Sequence, residues 1–288
     1  MSVVEPRVIT VPYEEGAYWR KGAKEGPEAI LREAAKIRPF SLASGRRNPY
    51  VLADVMGNSP RIEPYAKLRS LDAIEAHVRQ ILEQGHAPVI LGGDHSISLP
   101  VIRAMAARYG ARQFGVIHFD AHSDTFDEVD GFAYHHGAVF RNIVEEGLVA
   151  PEAIFQFGLR GFVRDDGLTF ADQHGIRYVL MDDFRRQGCQ LAQYCPPDMP
   201  YFVSIDIDAV DPAFAPGTGT PVPGGFTSAE MLGLVRQLSA FQLIGLDLVE
   251  VAPVYDVANI TVLLAAHLLC ESLTHLHFVQ LATEQVVA

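Results

Sequence analysis

The sequence places three potential metal ligands directly after an apolar segment. Residues 114–119, Phe-Gly-Val-Ile-His-Phe, form the kind of apolar run that predicts a buried β-strand. Asp120, His122 and Asp124 follow at alternate positions. If the backbone stays extended there, alternate side chains leave on one face. We therefore expect a site lined by carboxylates and imidazoles where this strand ends.

Three further apolar segments end in residues of the same chemical type. One of them is followed at 92–96 by Gly-Gly-Asp-His-Ser, whose glycines allow a tight turn that would bring His95 close to a ligand. Together these three strand ends add the candidates His95, Asp206, Asp208, Asp247 and Glu250. Two or more such ends side by side would form a pocket of high negative charge.

A pocket of this kind requires cations. Four clustered carboxylates would repel one another and lose hydration, whereas two divalent ions balance four negative charges. Oxygen ligands with two imidazoles and no thiolate favour Mn²⁺ over structural Zn²⁺, and paired metal ions lower the pKa of a shared water toward neutrality. The pattern predicts two Mn²⁺ ions per chain and hydrolytic chemistry. A polar strand end of purely structural role would explain one such cluster, but not several.

An alternation of strands and helices must position these residues. Apolar runs predict strands at 7–11, 50–55, 87–91, 114–119, 153–157, 177–180, 201–205 and 243–249. Helical patterns lie at 27–36, 69–84, 99–109, 139–146, 228–240 and 258–276, with Ser228 as a helix N-cap. This order predicts an α/β fold with a central, mainly parallel sheet of eight strands and helices on both faces. In such sheets, sites form at the carboxyl ends of strands.

Composition narrows the class of protein. With 288 residues, 49% of them hydrophobic, the chain can bury a large core, and because it shows no repeat or long linker we expect one domain over 1–288. The net charge of −12 argues against nucleic acid and anionic membranes as partners. Three cysteines without zinc or redox spacing, and no signal-peptide pattern, predict a cytoplasmic location. The apolar segment 258–276 contains several polar residues and is interpreted as a core helix.

Other polar residues near these motifs allow two interpretations. His118 lies inside an apolar run, and we interpret it as a core or supporting residue rather than a ligand. Asp127, Glu128 and Asp130 lie in a segment without Lys or Arg, which is either a solvated loop or a surface that favours a cationic substrate. The segment 211–225 is rich in Pro and Gly and predicts an irregular wall beside the site.

Three motifs reveal a resemblance to a known family. Residues 92–96 (Gly-Gly-Asp-His-Ser), 120–124 (Asp-Ala-His-Ser-Asp) and 204–208 (Ser-Ile-Asp-Ile-Asp, continuing through Gly225) closely resemble the ureohydrolase signatures. This is the arginase and agmatinase family of binuclear manganese amidinohydrolases. Further segments that look like this family are 11–13, 22–30 and 245–253, so the resemblance covers almost the whole chain.

The resemblance implies a role for each matching position. The implied metal ligands are His95, Asp120, His122, Asp124, Asp206 and Asp208, of which Asp120 and Asp206 match the two that bridge both ions. Asp124, His136 and Glu250 match catalytic positions, with His136 as a proton shuttle and Glu250 as the carboxylate that holds the guanidinium. His135 stays open as an alternative shuttle. The implied reaction converts a guanidino group to urea and an amine, in a homo-oligomer that is a trimer or a hexamer.

Departures from the arginase pattern point to agmatine as the substrate. Phe126 replaces the asparagine that contacts the α-carboxylate of L-arginine in arginases, and Gly-Phe-Val at 161–163 replaces their acidic residues. The segments 159–161 and 215–221 look more like agmatinase, which releases putrescine and urea.

Other functions stay open at this level. A guanidinobutyrase or guanidinopropionase would need a cation for a carboxylate tail, which Arg160 or Arg164 could supply. A non-catalytic metal-binding homologue would be expected to lack one of the ligands or catalytic residues. A zinc deacetylase of related architecture would bind one metal ion through fewer aspartates.

Overall fold

A parallel sheet of seven strands forms the centre of the protein. The structure is a computed structural model that describes residues 2–163 and 167–281. The strands are β1 (Pro6–Val11), β2 (Ala87–Gly92), β3 (Gly115–Phe119), β4 (Ile154–Leu159), β5 (Arg177–Leu180), β6 (Pro200–Asp206) and β7 (Gln242–Val249). Their spatial order is β1-β2-β7-β6-β3-β4-β5, with parallel pairing throughout. Outside this sheet, two-residue strands pair Ser2–Val3 with Val279–Gln280 and Phe40–Ser41 with Arg46–Arg47.

Helices connect most of these strands. They are α1 (Gly26–Ala34), α2 (Leu52–Val55), α3 (Lys67–Glu83), α4 (Ser98–Tyr109), α5 (Val139–Glu145), α6 (Thr169–His174), α7 (Met181–Arg186), α8 (Ser228–Gln237) and α9 (Ile260–His275). Short 3-10 helices lie at Ala23–Glu25, His95–Ile97, His136–Ala138, Pro151–Ala153, Leu191–Gln193, Ile207–Ala209, Leu238–Ala240 and Pro253–Tyr255. Within the described ranges, no helix combines the length and apolar character needed to cross a membrane.

The helices bury both faces of the sheet in two apolar clusters. On one face, α1, α8 and α9 pack with strand residues such as Val89 and Val203. On the other face, α3, α4 and α5 pack with Ile90 and Phe202. Neighbouring strand residues point to opposite faces, so strands that are buried on both sides read as continuous apolar runs. The expected α/β class with helices on both faces is confirmed.

The expected eighth strand at 50–55 is wrong. Leu52–Val55 form the short helix α2, in which only Val55 is buried. A six-residue apolar run does not distinguish a strand from a helix by periodicity, and Val51 is exposed instead of paired in a sheet.

The start of α8 also differs from the expectation by one residue. Thr227, not Ser228, is the N-cap, and its side chain accepts the N–H of Glu230. The Glu230 carboxylate accepts the N–H of Thr227 in return, which completes a capping box. The sequence therefore contains a full helix-start signal that begins one position earlier than we predicted.

The strand order places the chemically rich segments together. β7 and β6 lie between β2 and β3, so the chain returns late to fill the middle of the sheet. Because all seven strands run parallel, the carboxyl ends of these four central strands meet at one edge. The motifs at 92–96, 120–124 and 204–208 all follow or overlap these ends.

Candidate metal centre

One group of ligand atoms gathers around His95 at the carboxyl edge of the sheet. His95 Nδ1 lies 2.9 Å from Asp124 Oδ2, 3.3 Å from Asp120 Oδ2 and 3.4 Å from Asp206 Oδ2. All four residues are buried. These side chains come from three different strand ends, as the sequence predicts.

A second group shares Asp120 with the first. His122 Nδ1 lies 3.2 Å from Asp120 Oδ1 and 3.1 Å from Asp208 Oδ2. Asp120 therefore directs one oxygen to each group, which is the geometry that a bridging ligand needs. Asp206 directs Oδ2 to His95 and accepts the Asp208 N–H at Oδ1, at 2.8 Å.

The chemistry of the donor set fits divalent cations. Among the described residues, the buried Nδ1 of His95 has no hydrogen-bond partner, although three carboxylates surround it. Burial, and then repulsion from Asp208 and Asp120, raises the pKa of Asp206 well above its usual value. A divalent cation would attract both the carboxylates and the imidazole lone pair, and would remove the repulsion. Oxygen-rich ligation with two imidazoles suits Mn²⁺.

The ligands converge through turns rather than through the extended backbone that we expected. β3 ends at Phe119, and Asp124 has a φ of 49°, in the left-handed region. After β2 and β6 the chain turns at once into the 3-10 helices His95–Ile97 and Ile207–Ala209. Glu250 follows β7 with a φ of 62°. Left-handed backbone in a non-glycine residue costs roughly 1–3 kcal/mol and is concentrated at functional sites.

Gly93 and Asp94 attach an N-terminal loop to this edge. A Cβ at Gly93 would lie 1.7 Å from Tyr13 O, so the close approach requires glycine. The buried Asp94 carboxylate accepts the N–H groups of Gly16, at 2.7 Å, and Ala17, at 2.9 Å. Asp94 thus holds the loop, and the next residue in the chain supplies the ligand atom.

Glu250 and His136 form a buried pair beside the centre. Glu250 Oε1 accepts the His95 backbone N–H at 2.9 Å and lies 2.8 Å from His136 Nδ1. Burial opposes protonation of His136, but the Glu250 carboxylate outweighs it and raises the pKa of His136 to about 9. Bound dications would oppose this rise. Among the described residues, both hydrogen bonds to the carboxylate use Oε1, and His136 Nε2 is buried without a partner.

Hydrogen bonds distinguish the two adjacent histidines. The Gly137 N–H donates to His135 Nδ1 at 3.2 Å, so the ring proton of neutral His135 lies on Nε2. That Nε2–H donates to Asp127 O at 2.7 Å. Burial lowers the pKa of His135, in agreement with a neutral ring. Both nitrogens of His135 are therefore engaged, whereas His136 keeps Nε2 available.

Two polar candidates lie next to the ligands rather than among them. His118 Nε2 lies 2.9 Å from Asp120 Oδ2. Asp247 accepts a hydrogen bond from Ser204 Oγ at 2.7 Å, and Ser204 Oγ lies 2.9 Å from His95 Nε2. The contacts agree with the interpretation of His118 as a supporting residue. Asp247 has a similar supporting position, because Ser204 links its carboxylate to the predicted ligand His95.

Arg160 is bound to the backbone. Its guanidinium donates to Val222 O at 2.7 and 3.1 Å, to Gly158 O at 3.1 Å and to Asp208 O at 2.7 Å. Burial lowers its pKa, and nearby carboxylates oppose that change. These backbone contacts disfavour Arg160 as the cation for a substrate carboxylate, and the role stays a prediction. Arg164, the other candidate, lies outside the described residues.

The loop at 211–225 borders the centre, as its length suggests. Thr220 Oγ1 donates to Asp208 Oδ2 at 2.9 Å. A Cβ at Gly219 would lie 3.9 Å from Glu250 Oε2 and 3.0 Å from the carbonyl of Arg20. This loop therefore contacts a predicted ligand and lies close to both Glu250 and the backbone of Arg20.

The acidic segment 127–130 has features of both a solvated loop and a surface beside the centre. Asp127, Glu128 and Asp130 are exposed, which fits a solvated loop. The Asp127 carboxylate lies 3.4 Å from Arg141, so part of its charge is balanced. The backbone of Asp127 nevertheless touches His135, which brings the segment to the rim of the centre.

Three residues with notable contacts were not found from the sequence. Gln156 is buried inside β4, where Nε2 lies 3.1 Å from His118 Nδ1. The available signal was a lone polar side chain in an apolar strand. Tyr18 lies edge-on to His136, with 4.7 Å between ring centroids. The guanidinium of Arg20 lies over the ring of Tyr255. Nothing in the spacing of the N-terminal segment indicates those contacts.

The fold and the centre together define a class of protein. It is a three-layer α/β/α protein with clusters of His and Asp that could hold metal ions at the carboxyl edge of a parallel sheet. Residues 5–274 match the arginase family. The chain belongs to the arginase family, and it is a ureohydrolase that acts on guanidino compounds. The resemblance that the motifs indicate is confirmed.

Similar proteins differ in the substrates that their names state. The chain is 40% identical to guanidinopropionase from Pseudomonas aeruginosa over 280 residues. This alignment covers 94% of this chain and 86% of that protein. It is 36% identical to agmatinase from Salmonella dublin, covering 92% and 86%. The solved structure of proclavaminate amidino hydrolase from Streptomyces clavuligerus has a TM-score of 0.85 at 36% identity, covering 94% of this chain and 91% of that one.

Proposed function

We propose that this protein is a binuclear manganese hydrolase that converts agmatine to putrescine and urea. The observation that carries the proposal is the shared position of Asp120, which directs one carboxylate oxygen to each of two groups of ligand atoms. A site for a single ion would not need a carboxylate divided in this way. The proposed ligands are His95, Asp120, His122, Asp124, Asp206 and Asp208.

The residues around the ligands support different roles in the reaction. Two Mn²⁺ ions, when bound, would lower the pKa of water toward neutrality and so supply the nucleophile. Glu250 Oε2 would accept a guanidinium N–H, since both hydrogen bonds that the described residues make to this carboxylate use Oε1. His136 Nε2 is the atom that would give a proton to the departing amine. Asp124 is proposed to act in catalysis as well as in ligation, on the resemblance alone.

Agmatine is favoured by what the site offers to the far end of a substrate. The Arg160 guanidinium is engaged by backbone carbonyls, so it does not select a carboxylate. Phe126 presents a half-buried aromatic side chain where arginases carry an asparagine. A carboxylate buried without a partner is rejected by several kcal/mol. The exposed Asp127 and Glu128 would attract an ammonium, but each contributes at most about 1 kcal/mol.

A guanidino acid is the second candidate, because the backbone of an arginine lies beside the loop that borders the centre. The Arg20 guanidinium lies 3.8 Å from the centre of the Tyr255 ring, and no carboxylate within residues 2–163 and 167–281 pairs with it. A Cβ at Gly219 would lie 3.0 Å from the carbonyl oxygen of Arg20 and 3.9 Å from Glu250 Oε2, so the Arg20 backbone lies near Glu250. An arginine held by an aromatic ring could bind a carboxylate tail. The name of the guanidinopropionase relative agrees with this alternative.

Urea release from agmatine, L-arginine, 4-guanidinobutyrate and 3-guanidinopropionate tests the two candidates. We expect the highest kcat/KM with agmatine, and little change when salt is raised, because the discrimination comes chiefly from the buried site. A higher kcat/KM with either guanidino acid would reject agmatine. Loss of that preference in Arg20→Met would then assign it to Arg20. L-Arginine as the best substrate would contradict the interpretation of Phe126.

Three further properties are part of the proposal. We expect one domain, since the sheet uses strands from β1 to β7 along the chain, and a homo-oligomer on the resemblance alone. A cytoplasmic location stays a prediction. A non-catalytic role is disfavoured because all six proposed ligands, His136 and Glu250 are present together.

A further inference from the structure

Four buried polar side chains form a row across four neighbouring strands. In register, Gln156 of β4 pairs with His118 of β3, His118 with Ser204 of β6, and Ser204 with Asp247 of β7. We call these four residues the polar row. All of them are fully buried. A buried polar group without a partner costs about 1–3 kcal/mol, so the row requires compensating contacts.

The row meets its hydrogen-bonding needs partly through the proposed ligands. His118 Nε2 lies 2.9 Å from Asp120 Oδ2. Ser204 Oγ lies 2.9 Å from His95 Nε2. The next strand contributes Asp247, which accepts the Ser204 hydroxyl. The polar row therefore lies directly behind the ligands and contacts two of them.

Gln156 determines which nitrogen of His118 carries the proton. Gln156 Nε2 lies 2.7 Å from Ser123 O, and because a carbonyl only accepts, the amide nitrogen must face it. The same nitrogen lies 3.1 Å from His118 Nδ1, so Nδ1 is an acceptor. The proton of the neutral ring is then on Nε2, which donates to Asp120 Oδ2.

We propose that His118 is a positioning residue for Asp120, and that Gln156 sets the tautomer of His118 that this role requires. The inference rests on the proposed function, in which Asp120 bridges two ions. In this proposal, hydrogen bonds from the protein to both carboxylate oxygens fix the orientation of Asp120. Oδ2 accepts from His118, and Oδ1 accepts the backbone N–H of His122 at 2.6 Å.

Packing around His118 limits the ring to this role. Its ring lies 4.2 Å from that of Phe140 and is completely buried. With Nδ1 facing Gln156, His118 presents a donor instead of a lone pair to the centre, and so it does not act as a ligand. Supporting hydrogen bonds of this kind orient metal ligands, and their loss typically weakens metal affinity by 10- to 100-fold.

Amide replacements of His118 separate positioning from simple packing. In His118→Gln the amide can occupy the place of Nε2 and still donate to Asp120. In His118→Asn the shorter side chain reaches only the place of Nδ1, and His118→Leu removes both groups. The measurement is the Mn²⁺ dissociation constant of the metal-free protein, from competition with a chelating indicator, with thermal unfolding of each metal-free variant beside it. Phe155→Leu is the control, since this buried neighbour of Gln156 belongs to the apolar cluster on the other face.

We expect His118→Gln and Phe155→Leu to bind Mn²⁺ nearly as tightly as the wild type, and His118→Asn and His118→Leu to bind about 10- to 100-fold more weakly. Gln156→Met should show a smaller loss, because His118 then lacks only its fixed tautomer. Equal affinity in His118→Leu and the wild type would overturn the inference, as would losses that follow only the melting temperatures. If the wild type binds no Mn²⁺, both the inference and the proposed function fail.

Discussion

Replacement of Glu250 with glutamine tests how the guanidinium is captured. The amide oxygen can still accept the His95 N–H and the His136 Nδ1–H, so the local fold should persist. The substitution removes the negative charge that would pair with the substrate in a buried site. Removal of one partner of a buried ion pair costs roughly 3–5 kcal/mol. At about 1.4 kcal/mol for each tenfold change, kcat/KM should fall by roughly 10²- to 10⁴-fold.

The assay combines steady-state urea release with metal analysis of the same preparations. Glu271→Gln is the matched control, because Glu271 is another buried carboxylate and pairs with Arg236 at 2.8 Å, in the contact between α8 and α9. We expect the control to keep its kcat/KM and both variants to keep their Mn²⁺. Unchanged kcat/KM in Glu250→Gln would refute the capture role. Loss of Mn²⁺ from that variant would show that Glu250 is itself a ligand.

Three other outcomes follow from the site and the resemblance. Asp120→Ala and Asp206→Ala should each abolish urea release and reduce the rise in melting temperature that Mn²⁺ produces; wild-type activity in either would contradict a bridging role. His136→Ala should lose roughly 10²- to 10⁴-fold in kcat with metal content unchanged, whereas an equal loss confined to His135→Ala would exchange the two roles. Light scattering at micromolar concentration should report a trimer or a hexamer, and a monomeric mass would contradict that expectation.

The ligand motifs were predictable because each one lies at the carboxyl end of a strand. A carboxylate or histidine after an apolar run needs only the topology of a parallel sheet to reach the carboxyl edge, and His95, Asp120 and Asp206 show this. Local backbone conformation was not predictable in the same way. Asp124 and Glu250 adopt positive φ values, which single-residue propensities disfavour. The surrounding structure imposes these conformations.

Contacts between strands were the main feature that the sequence did not reveal. Gln156 and Ser204 are 48 positions apart along the chain, and only strand order places both beside His118. Arg160 could be interpreted as a free cation because its backbone partners come from distant segments. The prediction of a strand at 50–55 was wrong. Only Val55 is buried among these residues, so the apolar run does not belong to the core of the sheet.

Titration of the metal-free protein with Mn²⁺, with urea release followed at each step, measures how many ions the active centre needs. We predict that activity appears with bound Mn²⁺ and reaches its maximum when two ions are bound per chain, because Asp120 divides its oxygens between two groups of ligands. A maximum at one ion per chain, or full activity after exhaustive chelation, would contradict the binuclear centre.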